Sequence, residues 1–451
     1  MKRFRTMLVS SLVALLAVSI ARPPQTAWAD ATSAPSAGEA PEKEAASDTS
    51  EVPLQYADFT WMNGQSKQKD FPFTFSKYVT PSLYLDTYYA YSGNHPRDNT
   101  VTGTASTGRH NEFQLNLASI GFDWNYRNVI GRISIQYGSM MSIVQDLDGT
   151  ASRGRSFTVQ NLRYVREATV GYHLDALHGI NIEGGIFMSY MGLESYLLAE
   201  NWNYSRSLVC ESTPFYFQGV RAQIFPSKYL KIEPWLMNGW QTYGKWNNTP
   251  AAGLSVHWRP TPSLGFAANF YTGSDTRGQP SRLRFHHDHS VVGKLYEAPQ
   301  SKGLSKLAIS VNNHAGFESG GGGPSARNAH MLGSAVALRG WFGKDRWAAT
   351  IRGEVVSNPS RYLAQFPPPG FAQGGGESFR VWGLTATTEY FVTDFFTLRA
   401  EVLHRRANVP FFAGAGGTTS PDGFADTATT SFVPDVVKSQ TLGILAANFR
   451  L

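Results

Sequence analysis

The chain has 451 residues and a formal charge of +6, with charged residues at only 16%, aromatics at 13%, 43 glycines and one cysteine. Soluble proteins carry about 25% charged residues, so a row of ordinary globular domains is a poor fit. A single thiol excludes an internal disulfide framework, and so mild a charge lacks the clustered basic face that nucleic acid requires.

Taken in chain order, Lys2, Arg3 and Arg5 precede an uncharged apolar run from Met7 to Ile20, followed by Ala27-Trp28-Ala29. This pattern predicts a secretory signal peptide over residues 1–29, cut between Ala29 and Asp30. The run is shorter than the roughly 20 residues that span a bilayer as a helix. Residues 30–57 are rich in Ala, Ser, Pro, Glu and Thr and read as a disordered periplasmic linker. Residues 58–81, with Trp61-Met-Asn-Gly64 and Phe71-Pro-Phe-Thr-Phe75, read as an N-terminal docking segment.

From residue 82 to 451 an alternation of apolar and polar residues takes over. It predicts strands near 82–91, 112–124, 129–140, 164–174, 180–190, 215–225, 230–240, 251–259, 264–272, 282–296, 305–314, 331–342, 346–356, 379–390, 396–405 and 439–451. Every second connection is short, such as 125–128, 226–229 and 343–345, and the intervening ones are mostly long, such as 92–111, 191–214 and 406–438. About sixteen strands of some ten residues, with short turns at one end and long loops at the other, are the signature of a closed antiparallel transmembrane β-barrel with periplasmic turns and extracellular loops. A soluble β-sandwich has no reason to gather its long loops at one end. Aromatics recur at strand ends, among them Trp124, Tyr126, Trp258, Trp347 and Tyr390 beside short turns and Tyr89, Tyr91, Tyr190 and Tyr271 near long loops, as membrane girdles require. Pro234 within a strand and a shift of the apolar phase near Ala118 each predict a bulge.

A barrel of this size encloses a lumen too wide for side chains to fill, so a water-filled pore passing small hydrophilic solutes is the expected function. The faces opposite the apolar ones place Asp86, Arg132, Glu183, Arg221, Lys231, Glu233, Arg352, Glu354, Arg399 and Glu401 as pore-lining residues. Asp123, Glu167, Arg284 and Arg339 share those faces, and the signs nearly balance, so no strong ion preference follows. In His286-His-Asp-His289, His287 and His289 point one way and His286 and Asp288 the other; a closed zinc site wants four ligands, so no metal is assigned. His404-Arg-Arg406 could attract anions or lipopolysaccharide phosphate. The runs Gly320–Gly323 and Gly374–Gly376 lack a following Lys-Ser/Thr and are loop tips. Cys210 reads as an incidental loop residue. No catalytic arrangement stands out, and neither an enzymatic role nor a cofactor is expected. The competing readings are a plugged barrel acting as an adhesin or as a structural or interaction protein, and a soluble periplasmic β-protein.

Several stretches resemble an outer-membrane β-barrel porin family, the OmpL-like "porin-2" group: Phe59-Thr-Trp-Met-Asn-Gly-Gln-Ser-Lys-Gln-Lys-Asp70, Asp86-Thr-Tyr-Tyr-Ala-Tyr-Ser-Gly-Asn-His-Pro96, Gly185-Ile-Phe-Met-Ser-Tyr-Met-Gly192, Ile232-Glu-Pro-Trp-Leu-Met-Asn-Gly-Trp240, Asn358-Pro-Ser-Arg-Tyr362 and His404-Arg-Arg-Ala-Asn-Val-Pro410. The resemblance implies a Gram-negative outer membrane and a passive channel, and brings no catalytic residues. The partners expected of such a barrel are outer-membrane lipid and lipopolysaccharide, the barrel-assembly machinery, small hydrophilic solutes and further copies of itself in a homotrimer. Resembling barrels end in phenylalanine; this chain ends in Leu451, with Phe449 two residues earlier.

Overall fold

A computed structural model describes residues 54, 58–68, 76–146, 148, 150, 159–320, 329–359, 378–429 and 431–451. The predicted cleavage site at Ala29 and Asp30, nearly all of the linker, residues 69–75 of the docking segment and Gly374–Gly376 lie outside them.

Sixteen strands close into one barrel. They are β1 (Val79–Ser92), β2 (Phe113–Tyr126), β3 (Val129–Tyr137), β4 (Val165–Leu174), β5 (Ile180–Met188), β6 (Tyr216–Ser227), β7 (Leu230–Met237), β8 (Ala251–Thr261), β9 (Leu264–Gly273), β10 (Leu283–Glu297), β11 (Leu304–Ser319), β12 (Ala329–Phe342), β13 (Trp347–Asn358), β14 (Phe379–Phe391), β15 (Phe396–Ala407) and β16 (Ser439–Arg450). Each pairs antiparallel with its neighbours in sequence, and β16 returns to β1. A wall immersed in hydrocarbon must satisfy every backbone group internally, so closure is obligatory. At the seam the register runs from Tyr84 opposite Arg450 to Ser92 opposite Leu442. Leu451 extends it: its N–H donates to Leu83 O at 2.9 Å, and Leu83 N–H donates back at 2.7 Å.

The period-two pattern decides which face is which. In β13, Trp347, Ala349, Ile351 and Val355 are exposed on the outer face, while Arg352, Glu354 and Val356 are buried inside. The outward face of β16 carries Thr441, Gly443 and Leu445, and its inward face Leu442, Ile444, Ala446 and Asn448. Short turns close one end. Arg127 and Asn128 both have positive φ (49° and 65°), as do Lys344 and Asp345 (59° and 65°), the handedness that matches the twist of flanking strands. Aromatic pairs bridge adjacent strands near this end, Trp347 with Tyr390 at 4.4 Å and Trp258 with Phe266 at 5.2 Å between centroids. At the far end Tyr89 lies 5.0 Å from Phe113 and Phe285 5.4 Å from Phe317.

The two predicted bulges fare differently. The ladder between β1 and β2 shifts where Asp86 faces Leu117 and Thr87 faces Leu115, so the bulge exists and falls at Asn116. Pro234, however, makes no bulge: β7 stays in register with β8 through it, and the ladder with β6 merely skips the two positions opposite Glu233 and Pro234 before resuming unchanged at Ile232. A missing N–H removes a rung without displacing the strand. The third strand also ends earlier than the alternation suggested. Gly138 turns with φ of +135°, in a place where a Cβ would sit 2.3 Å from Asn116 O. Beyond it, Ser139–Asp146 forms a helix that buries Met140, Met141 and Val144, residues at helical spacing.

Candidate functional site

The long connection between β5 and β6, residues 189–215, folds into the lumen instead of projecting outward, and nearly all of its side chains from Glu194 to Thr213 are buried or half-buried. Its local shape is set by its own polar residues. Asn201 ties back to Ser195, accepting from Ser195 N–H at 2.7 Å and donating to Ser195 O at 2.9 Å. Ser207 caps a short helical turn, Leu208–Glu211, by accepting from Cys210 N–H at 3.2 Å. Glu194 accepts from both Ser207 N–H at 2.6 Å and Ser207 Oγ at 2.8 Å.

A loop placed inside a barrel leaves peptide groups that need partners, and charged residues of the wall supply them. From β13, Arg352 donates to Glu194 at 2.8 Å and to Ser205 O at 2.7 Å. Glu354 accepts from Leu208 N–H and from Arg405, both at 2.7 Å. From β15, Arg399 donates to Leu198 O at 2.8 Å and to Asn201 O at 3.1 Å. Glu401 accepts from the amides of Tyr204 at 2.7 Å and Ser205 at 3.0 Å. From β1, Asp86 accepts from Tyr204 OH at 3.0 Å and from Asn448 at 2.7 Å. Leu442, Ile444 and Ala446, whose inward direction suits no watery pore, join Leu198, Tyr204 and Tyr84 in one apolar cluster.

Two further segments pack against this loop. Residues 58–68 lie on its tip: Trp202 donates from Nε1 to Trp61 O at 3.1 Å and from its amide to Asn63 Oδ1 at 2.9 Å, and Gly64 N–H donates to Glu200 O at 3.1 Å. From the opposite end, Thr104 and Ser106 of the connection between β1 and β2 donate to Glu211 at 2.9 and 2.8 Å. That connection is fixed above by Asp98. Burial alone would raise the Asp98 carboxyl, but the amide and hydroxyl of Thr418, the Thr100 amide and the Thr419 hydroxyl hold it below the usual range.

The other side of the lumen is different. There the wall charges pair with one another in a chain along β2 to β7. Arg132 contacts Asp123 at 2.5 Å and Glu167 at 3.3 Å, and Arg166 contacts Glu167 at 3.1 Å. Arg221 contacts Glu183 at 2.8 Å and Glu233 at 3.4 Å, and Lys231 contacts Glu233 at 2.7 Å. The side chains of Arg132 and Arg221 are 42% and 22% exposed, against 1% for Arg352 and 1% for Arg399. On this side Arg132, Asp123 and Arg221 are the charges most open to the lumen, at 42%, 38% and 22%, while Glu183 and Glu233 are 9% and 2% exposed.

The residues expected to line a pore thus divide. Asp86, Arg352, Glu354, Arg399 and Glu401 face inward but grip the loop, while Arg132, Glu183, Arg221, Lys231 and Glu233 face inward and form the ion-pair chain. The inward apolar face of Leu442, Ile444 and Ala446 called for a loop or the N-terminal segment against it, but not for this loop in particular. Cys210, read as an incidental loop residue, does lie in this loop but is fully buried, with Sγ 3.3 Å from Asn312 Oδ1. The available signal was Tyr196, Trp202, Tyr204 and Cys210, all large or apolar, in a segment assigned to a long extracellular loop. His286 and Asp288 point inward and His287 and His289 outward, as the alternation required; His286 Nε2 lies 3.1 Å from His314 Nδ1. His404 and Arg406 remain part of β15 and face outward, not into a loop.

Residues 78–451 match the family described as "Putative beta-barrel porin-2, OmpL-like". No curated protein sequence matches the chain. Among solved structures, the fold is similar to an anion-selective porin from Comamonas acidovorans, at 9% identity and a TM-score of 0.50, covering 83% of this chain and 99% of that one. It is also similar to the outer membrane channel DcaP of Acinetobacter baumannii, at 11% identity and a TM-score of 0.50, covering 83% and 97%. The sixteen-stranded closed wall and the family match over most of its length together make this chain an outer-membrane porin of the OmpL-like β-barrel porin-2 family.

Proposed function

We propose that small hydrophilic solutes diffuse passively through the crescent of lumen bordered by β2 to β7, with Arg132, Glu183, Arg221, Lys231 and Glu233 lining the path. In this reading Asp86, Arg352, Glu354, Arg399 and Glu401 act indirectly, by holding the inward loop that narrows the pore. The observation that carries it is the contrast in exposure between the two sides: 42% for Arg132 on β3 against 1% for Arg352 on β13. Purified, folded protein in a planar bilayer should give discrete conductance steps. A reproducibly silent protein would instead favour the plugged barrel, for which the packing of residues 58–68 and 189–215 inside the lumen is the specific support.

Residues 58–68 serve, on this proposal, as a docking segment that braces the loop from the periplasmic side, and the assembly is a homotrimer. Crosslinking in intact outer membranes would reveal the trimer as a single larger band; a monomer band alone would refute it.

A further inference from the structure

The outer wall from β10 to β15 departs from the apolar surface that lipid demands. His289, Asn313 and Ser334 face one another in a row across β10, β11 and β12, with Asn313 Nδ2 3.2 Å from His289 Nε2. Further round, Arg380 and Arg406 stand at the extracellular ends of β14 and β15, both exposed on the outer face. Between these groups lies a groove of about 800 Å³, with Leu332, Val355 and Trp382 among the residues that line it. Arg406 faces Trp382 across the ladder, which makes Arg380 its diagonal neighbour, roughly 7–8 Å away at Cα. The ion pairs of these two strands are made by the inward residues Glu389, Arg399 and Arg405. Neither Arg380 nor Arg406 has an acidic partner among the described residues.

We propose that this groove binds the acylated, phosphorylated glycolipid of the outer leaflet, with an acyl chain in the hollow and a phosphate bridging Arg380 and Arg406. Two like charges side by side repel unless an anion lies between them, and guanidinium forks match phosphate geometry. Their position is the extracellular end of the wall, where the headgroups of that leaflet lie. The hollow beneath them is apolar, which suits a hydrocarbon chain and excludes a soluble anion as its sole occupant. The polar row through His289, Asn313 and Ser334 then meets the sugar and ester groups at the other side of the groove.

The test uses the folded full-length protein in detergent, with bisphosphorylated hexa-acyl lipid A as the probe and native mass spectrometry as the readout. Wild type should bind it saturably, and the double substitution Arg380→Ala/Arg406→Ala should weaken binding at least tenfold. Val355→Trp, which fills the hollow with a residue the lipid face tolerates, should do the same. Dephosphorylated lipid A should bind wild type as weakly as lipid A binds the double variant, an arm that needs no mutant to fold. Equal affinity of wild type for the two lipids would overturn the proposal. So would variants that bind lipid A normally but change the number of copies per particle, which would make the groove a contact between copies of this chain.

Discussion

At the scale of single residues, the lumen is organised by charges that serve as hydrogen-bond partners for a loop. Arg352 shows this best. It is fully buried, it pairs with Glu194, and it donates to Ser205 O. Removing one partner of a buried pair leaves the other charge uncompensated, a loss of about 3–5 kcal/mol. We expect Arg352→Ala to lower the temperature at which the folded band converts to the unfolded one on a gel, and to give larger and noisier conductance as residues 189–215 loosen. Arg132→Ala is the contrast. Its pair with Asp123 is 42% and 38% exposed, and exposed pairs contribute about 0–1 kcal/mol, so the unfolding temperature should barely change. Asp98 gives a pH dependence. Its carboxyl is held below the usual range by the Thr418 and Thr419 contacts despite its burial. A depressed carboxylate contributes stability that is present above its unfolded value of about 3.9 and lost as the pH falls through the lower folded value. The joint between the β1–β2 connection and residues 418–419 should therefore survive mild acid and open only in strong acid. Limited proteolysis across that range checks this, and Asp98→Asn should open the joint already at neutral pH.

At the scale of elements, the strands were legible and the lumen contents only in part: the inward Leu442, Ile444 and Ala446 called for a loop or the N-terminal segment without saying which. Each strand writes its two faces into successive residues, so Val129-Ile-Gly-Arg-Ile-Ser-Ile-Gln-Tyr137 declares its outer face locally. Asn116 betrayed its bulge through a phase shift, because an extra residue swaps faces for everything after it. Pro234 misled, because the loss of one N–H does not require an extra residue. The inward folding of residues 189–215 was hidden for a deeper reason. Nothing within that stretch reports that Arg352, Arg399 and Glu401, some 150–200 residues away in sequence, will satisfy its amides and carbonyls. The same holds for Trp61, fully buried against the loop with its carbonyl accepting from Trp202. Burial on that scale makes truncation of a tryptophan cost about 3–5 kcal/mol. Residues 58–68 also touch the wall, Asn63 at Ser310, Lys67 near Glu389 and Gln68 at Arg450, but none of these contacts closes the barrel, so we expect Trp61→Ala to loosen the segment without unfolding the wall. Protease added from the periplasmic side should then cleave it, while the heat-modifiable band persists; a protected segment would show that it is held by other contacts.

At the scale of the whole molecule, two arcs of six strands each divide the work. One arc, from β12 through β16 to β1, spends its inward charges on internal partners that bury them. The other arc, β2 to β7, presents Asp123, Glu167, Glu183 and Glu233 beside Arg132, Arg166, Arg221 and Lys231, four acids against four bases, each within an ion pair. Rings of one sign select ions, whereas paired charges of both signs cancel within a few ångströms, well inside a Debye length of about 8 Å at physiological salt. The reversal potential across a tenfold potassium chloride gradient should therefore lie near zero, against about 59 mV for a carrier of one charge only. The same reasoning fixes the effect of disturbing the balance. Arg132→Glu with Arg221→Glu replaces two positive charges on that side by two negative ones and leaves Asp123 and Glu183 without their partners, while Glu167 keeps Arg166 and Glu233 keeps Lys231. This should turn the pore towards cations, with a reversal potential of the sign for potassium that shrinks as the bath salt is raised. Arg399→Gln, on the occupied side, should shift it little, since that guanidinium faces Leu198 O and Asn201 O and not the solution. A cation preference produced by Arg399→Gln but not by the Arg132 and Arg221 pair would place the conducting path on the opposite wall.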